Sequence, residues 1–422
     1  METLTVLRCD PARQNQAADS LKLAIDQGAW VYPLGPEPMA VPPGLERLSS
    51  APLPQAWPSG PGLVMSTGGS SGSRSLCLHP IANLDRSADS CGRWLAGIGL
   101  EPGATLVWNP LPLHHVSGLM PWWRVRRWGA EHSWLSPALM RQPERLLNHC
   151  RRHPFWRKRP MVLSLVPTQL RRLLSHPAGC TWLRAMDVIW VGGAALPADL
   201  ADQACQAELC LSPCYGATET AAMVTALTPV AFLAGTGGCG SPLPGVHLRL
   251  VQDGALAVQC DRLAVARLDA DGGLSSVAAA DGWWRTGDAA EFSGSAPEIH
   301  LRILGRLDGA IQSGGVTVFP GELEERIWLL VRGTGLPIDA VLLLGVENVE
   351  WGERLVALVR WTAGDGPIGG FDALRELVRD WPAAERPMDW IHCPDLQSSP
   401  AGKWERSRWQ NWLASQQLGN QL

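Results

Sequence analysis

The chain has 422 residues, 46% of them apolar, and its 36 basic and 40 acidic side chains leave a net charge of −4. This length predicts two or three domains with ample apolar material for a buried core. The charge excludes a general basic excess for nucleic acid, and no run of 18 apolar residues is present to cross a bilayer. The N-terminus lacks an apolar segment behind basic residues. We therefore expect a cytoplasmic protein with no nucleic-acid, membrane or obligate protein partner.

The eleven cysteines are scattered without CxxC pairs, which is typical of buried thiols in a reducing compartment. Their tightest group is Cys205, Cys210 and Cys214. A zinc site would need a fourth ligand and a different spacing. We expect these side chains to pack in the core.

Residues 35–61 are rich in proline and glycine, so we expect the first 60 residues to form a loosely organised edge. The first core strand is predicted in "GLVMSTGG", residues 62–69. The apolar run "DVIWVGGAALP", residues 187–197, is typical of a buried parallel strand whose carboxyl end opens onto a ligand crevice. Farther on, "HLRLVQDGALAVQC" alternates and turns at Asp253-Gly254, which predicts a hairpin.

The pattern changes after "LRILGRLDG". A charged helix is predicted in "GELEERIWLLV", strands in "DAVLLLGV" and "RLVALVRW", and a further helix in "FDALRELVRDWP". This α+β pattern covers about 115 residues and predicts a second, smaller domain.

The segment Ser66–Ser75, "STGGSSGSRS", follows a predicted strand and combines three glycines with five serines and a threonine. Backbone N–H groups exposed by glycine and flanked by hydroxyls suit a polyphosphate. The spacing excludes a Walker A loop. Taken alone, the segment is equally compatible with a flexible surface linker.

Two further motifs carry polar side chains beside glycine turns. In "CYGATET", Thr218 can donate to a phosphate and Glu219 can bind Mg²⁺, although a helix N-terminus would favour the same residues. In "WWRTGDAAEF" and "LGRLDGAIQSGG", Asp288, Arg306 and Asp308 could hold a ribose diol, or serve as turn aspartates and a surface ion pair.

Taken in order, "STGGSSGSRS", "VGGAALP", "YGATET", "WWRTGD", "GRLDGAIQSGGVTVFPGELE" and "PAGK" resemble the core motifs of the superfamily that contains acyl-CoA synthetases, adenylation domains and luciferases. The resemblance covers roughly residues 62–404. It implies an α/β fold with a large N-terminal adenylate-forming domain of stacked sheets and helices over residues 1–305. A hinge over 306–308 would lead to a small, mobile α+β domain over 309–422.

The resemblance also implies roles for individual residues. The implied nucleotide-binding residues are Ser66, Thr67, Gly68, Gly69, Ser70, Ser71, Gly72, Arg74, Gly192, Gly193, Ala194, Tyr215, Gly216, Thr218, Asp288 and Arg306. Glu219 would bind the metal, and Gly314 and Gly315 would face the active site in a second half-reaction. The implied catalytic residues are Lys403, Thr218 and His115, and the implied cofactors are ATP, Mg²⁺ and coenzyme A as co-substrate.

One departure concerns the phosphate loop, where the family pattern TTGxPKG has proline and lysine at the positions of Arg74 and Ser75. Arg74 is our candidate replacement for the missing charge. Lys403 is one of only three lysines beside thirty-three arginines. A compact ammonium on a flexible stem suits a group that brings a carboxylate and ATP together, whereas a lysine in such a loop is otherwise a solvated side chain.

Within the superfamily, "LSLVPTQLRRLL" and "NPLPLHHVSGL" resemble the o-succinylbenzoate–CoA ligases of menaquinone and phylloquinone synthesis. His115 would then lie near the acyl carboxylate, or else form a structural pair with His114. The alternatives are another aryl or acyl-CoA ligase, a stand-alone adenylation domain, and a non-catalytic nucleotide-binding regulator. The expected partner is a small carboxylic acid.

Overall fold

A computed structural model of the chain describes residues 3–36, 39–49, 53–54, 56–67, 75–252, 254–269, 272–294, 299–362, 364, 366–399 and 404–419. In chain order the strands are β1 (Leu4–Arg8), β2 (Trp30–Leu34), β3 (Gly62–Ser66), β4 (Leu76–Pro80), β5 (Leu106–Asn109), β6 (Glu131–Trp134), β7 (Met161–Leu165), β8 (Val188–Val191), β9 (Leu211–Ala217), β10 (Ala222–Ala226), β11 (Ser241–Pro242), β12 (Val246–Leu250), β13 (Ala255–Cys260), β14 (Ala266–Leu268), β15 (Leu274–Ser275), β16 (Trp284–Ser293), β17 (His300–Arg306), β18 (Ile311–Ser313), β19 (Val316–Val318), β20 (Ile338–Asn348), β21 (Gly352–Trp361) and β22 (Asp389–His392).

The helices are α1 (Gln14–Asp26), α2 (Pro43–Ser49), α3 (Ile81–Gly97), α4 (Val116–Trp128), α5 (Pro137–Met140), α6 (Pro143–Arg151), α7 (Pro167–Leu174), α8 (Pro177–Leu183), α9 (Ala198–Gln206), α10 (Pro229–Leu233), α11 (Pro320–Val331), α12 (Gly370–Leu377) and α13 (Arg406–Gly419). Many of them begin with proline, whose fixed φ suits the first helical position and whose missing N–H has no partner there. Within the described residues, no helix is both long enough and apolar enough to span a membrane.

A seven-stranded sheet in the order β11-β10-β9-β8-β7-β5-β6 forms the centre of the molecule. Its strands from β9 to β6 are parallel, and β10 and β11 extend it in antiparallel fashion. All four residues of β8 are buried, so the predicted buried parallel strand in "DVIWVGG" is confirmed. Side chains such as Leu163, Trp182 and Ile189 join this sheet to helices α6–α9 in one core.

A second, six-stranded sheet has the order β1-β2-β3-β4-β14-β15. The expectation of a loose N-terminal edge is wrong, because β1 and β2 pair in parallel with β3 and belong to this sheet. Trp30 and Tyr32 of β2 are buried in one core cluster, and Leu21 of α1 is buried with Val31 in another. The proline-rich stretch comes after these elements. The run "WVYPL", which forms β2 directly before it, is too short to be recognised as a buried strand from the sequence.

Helix α3 lies between the two sheets. Leu84 and Ala88 pack with the six-stranded sheet, whereas Cys91, Trp94 and Leu95 pack with the seven-stranded one. The helix therefore holds β3 and β4 at a fixed place relative to the carboxyl ends of β8 and β9.

The remaining strands form two further sheets. Strands β12-β13-β16-β17 are antiparallel, which confirms the hairpin predicted between β12 and β13; Asp253 itself lies outside the described residues. The last sheet has the order β19-β18-β21-β20, with β22 paired to β21. The predicted helices at α11 and α12 and the predicted strands at β20 and β21 are confirmed.

The last sheet is tied to its helices by a buried ion pair. Arg406 of α13 donates to both carboxylate oxygens of Glu324 at 2.9 and 3.1 Å, and the Leu343 N–H donates to Glu324 Oε1 at 2.8 Å. Glu324 is 7% exposed. One interaction thus joins α11, β20 and α13 in a single body.

Helix α11 also contacts the larger part of the chain. Arg332 pairs with Asp202 of α9, and Arg302 of β17 lies 3.6 Å from Glu322. The proposed boundaries at residues 305 and 309 remain a prediction from the sequence.

Candidate active site

Ser66 is the last residue of β3, Thr67 follows it, and Ser75 stands immediately before β4. The Thr67 N–H donates to the Ser75 carbonyl at 2.8 Å, and the Ser75 N–H donates to Thr67 Oγ1 at 3.2 Å. Ser66 Oγ lies 2.9 Å from the hydroxyl of the buried Tyr32. Both ends of the serine- and glycine-rich segment are therefore held by hydrogen bonds. The remaining predicted residues of this segment lie outside the described residues: Gly68, Gly69, Ser70, Ser71, Gly72 and Arg74.

Thr218 lies against the same strand end. Its hydroxyl donates to the Ser66 carbonyl at 3.4 Å, and its own carbonyl is 2.8 Å from His79 Nε2. His79 is fully buried, and desolvation lowers its pKa to about 4. The imidazole is therefore neutral near pH 7, and its Nε2–H donates to Thr218. His79 supports the Thr218 turn, and no sequence motif pointed to it.

The turn that carries Thr218 is tightly constrained. Thr218–Thr220 form one 3₁₀ turn whose N-cap is Ala217, and β10 follows at Ala222. Thr218 is therefore not the cap of a helix, which was the alternative interpretation. Ala221 and Ala222 follow with φ of 51° and 86°, a region that non-glycine residues rarely adopt. A Cβ on Gly216 would lie 2.2 Å from the Ala222 carbonyl oxygen. Only glycine allows β9 and β10 to approach this closely.

Glu219, the predicted metal ligand, pairs with an arginine. Arg267 Nη2 donates to Glu219 Oε1 at 2.9 Å, and the side chains are 35% and 13% exposed. No group of three or more potential His, Cys, Asp or Glu ligands occurs in the part of the chain that the structure describes. A single carboxylate suits Mg²⁺, which keeps several waters and takes other oxygens from substrate phosphates. Arg267 was not selected from the sequence.

Tyr215 and Asp288 extend the site toward the four-stranded sheet. Tyr215 Oη donates to Asp288 Oδ2 at 2.5 Å, and burial together with the Asp288 carboxylate raises the pKa of Tyr215 well above its ordinary value. Arg306, the cross-strand partner of Asp288, lies 3.6 Å from Asp288 Oδ1 and donates to Asp308 at 3.0 and 2.8 Å. The Arg306 guanidinium therefore lies between Asp288, its predicted partner in ribose binding, and Asp308, the predicted hinge residue.

Gly192, Gly193 and Ala194 follow β8 at its carboxyl end, next to β9. A Cβ on Gly192 would lie 2.9 Å from Cys214 Sγ, one residue before Tyr215. Gly193 has φ of +81°, which favours glycine. The backbone of this turn therefore passes close to the Tyr215 region, as expected for a wall of a nucleotide crevice.

The other predicted site residues lie on different elements. His115 is exposed at the start of α4, and its ring is 4.2 Å from that of His114. Gly314 and Gly315 form the turn between β18 and β19. Lys403 lies outside the described residues.

A model of the AMP-binding enzyme family matches residues 2–261. The 2-succinylbenzoate–CoA ligase of Salmonella typhimurium is 32% identical over 305 residues, which cover 72% of this chain and 59% of that protein. A Mycobacterium tuberculosis protein named "Probable 2-succinylbenzoate–CoA ligase" is 29% identical over 324 residues, or 75% of each chain. The match therefore spans less than two thirds of the Salmonella protein.

Solved structures show the same fold. The structure of wild-type E. coli MenE with a bound m phenylether-linked analogue of OSB-AMS has a TM-score of 0.69 at 25% identity, and the match covers 98% of this chain and 88% of that one. The Bacillus subtilis o-succinylbenzoate CoA synthetase in complex with OSB-AMP has a TM-score of 0.70 at 17% identity, with 97% and 88% covered. The family model matches more than half of the chain, which therefore belongs to the AMP-binding enzyme family.

Proposed function

We propose that the protein is an ATP-dependent acid–thiol ligase that converts o-succinylbenzoate, ATP and coenzyme A to o-succinylbenzoyl-CoA, AMP and diphosphate. The observation that carries this proposal is the convergence of the Ser66–Thr218 contact, Glu219 and the Tyr215–Asp288–Arg306 set around the end of β9. The choice of acid is supported by the names of the relatives that align with most of this chain.

In the first step, a carboxylate oxygen of the acid attacks the α-phosphorus of ATP and diphosphate leaves. Ser66 and Thr67 would present their hydroxyls to the phosphates, and the Thr218 hydroxyl would turn from the Ser66 carbonyl to join them. Glu219 would hold Mg²⁺. The ion, when bound, supplies positive charge to the phosphate oxygens. Asp288 and Arg306 would hold the ribose hydroxyls, and the wall formed by residues 192–194 would border the base.

The first step brings two anions together, and we assign Lys403 to neutralise them. An ammonium that touches both the attacking oxygen and the α-phosphate reduces their repulsion most in the transition state. His115 would lie near the acyl carboxylate. The enzyme would form no covalent intermediate of its own.

In the second step, the thiol of coenzyme A attacks the acyl carbonyl, AMP leaves, and the thiol proton is lost to solvent. We propose that the body containing α11 and the last sheet turns about Asp308 between the steps, so that the Gly314–Gly315 turn replaces Lys403 at the site. The bidentate pair between Arg306 and Asp308 supports a pivot at this position, because it orders the end of β17, directly before the point about which the body would rotate. We place the reaction in the cytoplasm, where ATP and coenzyme A are available.

The test is a panel of acids, namely o-succinylbenzoate, benzoate, fatty acids and amino acids, assayed for diphosphate release and for CoA-thioester formation. We expect strong preference for o-succinylbenzoate in both assays. Preference for another acid would reassign the enzyme to a different acyl-CoA ligase. Diphosphate release without thioester would point to an adenylation domain, and ATP binding without any acid-dependent diphosphate release would reject the catalytic function.

A further inference from the structure

The sequence places little positive charge in the segment proposed to bind the phosphates. Ser66–Ser75 contains one basic residue, Arg74, and no lysine. A nucleoside triphosphate carries several negative charges, and sites for such ligands normally supply cations that form charge-assisted hydrogen bonds. A further cation is therefore expected from another part of the chain.

Arg267 occupies a suitable position on β14. This strand pairs with β4, where Arg267 is opposite Cys77, and β4 in turn pairs with β3, where Cys77 is opposite Met65. Met65 immediately precedes Ser66, and Cys77 lies two residues after Ser75. Arg267 therefore lies in the sheet level with the last residues of β3, from which the proposed phosphate segment leaves, and with the first residues of β4, to which it returns.

The contacts of Arg267 leave part of its hydrogen-bonding capacity unused. The bond to Glu219 uses one of the five N–H donors of the guanidinium. Within the described residues, Arg267 Nε is buried and has no hydrogen-bond partner. The guanidinium carbon also lies 6.0 Å from the centre of the Trp284 ring. With the side chain 35% exposed, the group is held in place yet remains open on one side.

We propose that Arg267 binds the β- and γ-phosphates of ATP and shares its guanidinium with Glu219. Before the nucleotide arrives, the ion pair neutralises the largely buried Glu219 carboxylate. Because Arg267 Nε is buried, the contacts to ATP would come from the Nη donors that Glu219 does not use. When ATP is bound, these donors face the terminal phosphates, and Glu219 keeps its second oxygen for the metal. This inference rests on the proposed adenylating function.

Comparing the binding of ATP with that of AMP distinguishes a phosphate-binding role of Arg267 from a purely structural one. AMP lacks the β- and γ-phosphates, so an arginine that contacts them affects ATP and leaves AMP binding unchanged. An arginine that only orients Glu219 and the neighbouring turn would alter the site for both nucleotides. The ratio of the two affinities is therefore the informative quantity.

The experiment measures the Kd of ATP and of AMP by calorimetry, with Mg²⁺ present, for the full chain and its Arg267→Met and Arg267→Lys variants. We expect Arg267→Met to weaken ATP binding about tenfold or more, as for one lost charge-assisted contact, with AMP changed less than about twofold. Arg267→Lys keeps the charge and should lose less. Arg249→Met is the matched control. Like Arg267, Arg249 pairs with a carboxylate, that of Asp281 at 2.8 Å, and its guanidinium carbon lies 4.2 Å from the centre of a tryptophan ring, that of Trp283. It stands on β12, away from the proposed phosphate segment.

Unchanged ATP binding in Arg267→Met, or equal weakening of ATP and AMP, would overturn the inference while leaving the proposed function intact. A wild-type protein that binds neither nucleotide would overturn the proposed function, and this inference with it. Thermal unfolding of each variant checks that it folds. If Arg267→Met does not fold, Arg267→Gln, which keeps a polar side chain beside Glu219, is measured against the same criteria.

Discussion

Tyr215 and Asp288 come from two different sheets and meet through one short hydrogen bond, from Oη to Oδ2 at 2.5 Å. The tyrosine fixes one carboxylate oxygen, and Arg306 lies 3.6 Å from the other. The orientation of Asp288 is therefore set from two sides before any nucleotide binds. Such preorganisation avoids the cost of ordering the side chain during binding.

We expect Asp288→Ala to raise the KM for ATP by roughly tenfold or more, because a charge-assisted hydrogen bond to the ribose is lost. Tyr215→Phe keeps the carboxylate but removes one of its anchors, so its effect should be smaller. Steady-state kinetics at saturating acid measures both effects. An unchanged KM for ATP in Asp288→Ala would contradict the assignment.

Replacement of His79 should reach the site through Thr218. In His79→Leu the buried Thr218 carbonyl loses its donor, which should cost about 1–3 kcal/mol of unfolding free energy and slow adenylate formation. Urea unfolding and diphosphate release measure the two effects. Ser87→Ala, on helix α3, also removes a donor from a buried carbonyl, that of Ala221, and provides a comparison for the stability effect.

The same histidine gives a pH dependence. Burial lowers the pKa of His79 from 6.5 to about 4, so the folded state binds this proton less readily than the unfolded state. Its contribution to stability should be fully present above pH 6.5 and should fall as the pH drops from 6.5 toward 4. His79→Leu should lose less stability than the wild type over this interval, and parallel curves for the two proteins would argue against a buried neutral imidazole.

Glu325 of α11 should show the opposite dependence. Desolvation raises the pKa of Glu325 to about 7. The negative charges of Glu324 and Glu322 raise it as well, whereas the positive charge of Arg302 lowers it. The folded state therefore holds the proton more tightly than the unfolded state, and stability from this group should increase as the pH falls from about 7 toward 4.5. Because Glu325 is only partly buried, we expect Glu325→Gln to add no more than about 1–2 kcal/mol at pH 8. Denaturant titrations at pH 5.5 and pH 8 test this, and an equal effect of the variant at both would be inconsistent with it.

Lys403→Ala should lower adenylate formation by at least roughly 10²–10³-fold, the effect of one lost transition-state contact. Thioester formation from supplied acyl-adenylate and coenzyme A should survive. Single-turnover assays of each half-reaction separate the two steps. Equal loss of both in a folded variant would show that the assigned role is wrong.

Gly314 and Gly315 provide a matched pair for the second half-reaction. Both have positive φ, 58° and 80°, so alanine is strained at either position. A Cβ on Gly314 would also lie 2.7 Å from the Trp351 ring, whereas none of the described atoms approaches a Cβ on Gly315 within 4 Å. We expect Gly314→Ala to impair thioester formation more than Gly315→Ala, with adenylate formation nearly unchanged in both. Equal effects of the two variants would show that the contact with Trp351 has no role.

Motif order and strand periodicity predicted the buried strand β8, the β12–β13 hairpin, strands β20 and β21, and helices α11 and α12. Each of these elements is marked by a pattern of neighbouring residues: a continuous apolar run, an Asp-Gly turn, or an apolar stripe at helical spacing. The β1–α1–β2 unit was missed, because short buried strands beside proline-rich sequence have no such signal. They are stabilised by contacts remote in sequence, namely the pairing of β2 with β3 and the packing of Trp30 and Tyr32 in the core.

Some residues of the candidate site could likewise be predicted from the sequence and others could not. Thr218, Glu219, Asp288 and Arg306 stand in recognisable motifs, and the structure places them around one strand end. His79 and Arg267 stand in unremarkable stretches and contact the motif residues only through long-range folding. A residue whose role is to support another has no sequence pattern of its own, so the structure was needed to find it.

The buried pair between Glu324 and Arg406 has a consequence for Lys403, which precedes Arg406 by three residues. A lysine at the end of a free tail could reach the nucleotide by bending alone, with the rest of the protein at rest. Here the chain is pinned directly after it to a carboxylate in the interior of its own body. In the proposed reaction, delivery and withdrawal of the Lys403 ammonium would therefore require the whole body of α11, α13 and the last sheet to rotate, so the turnover rate should depend on that rotation more than on local flexibility around Lys403.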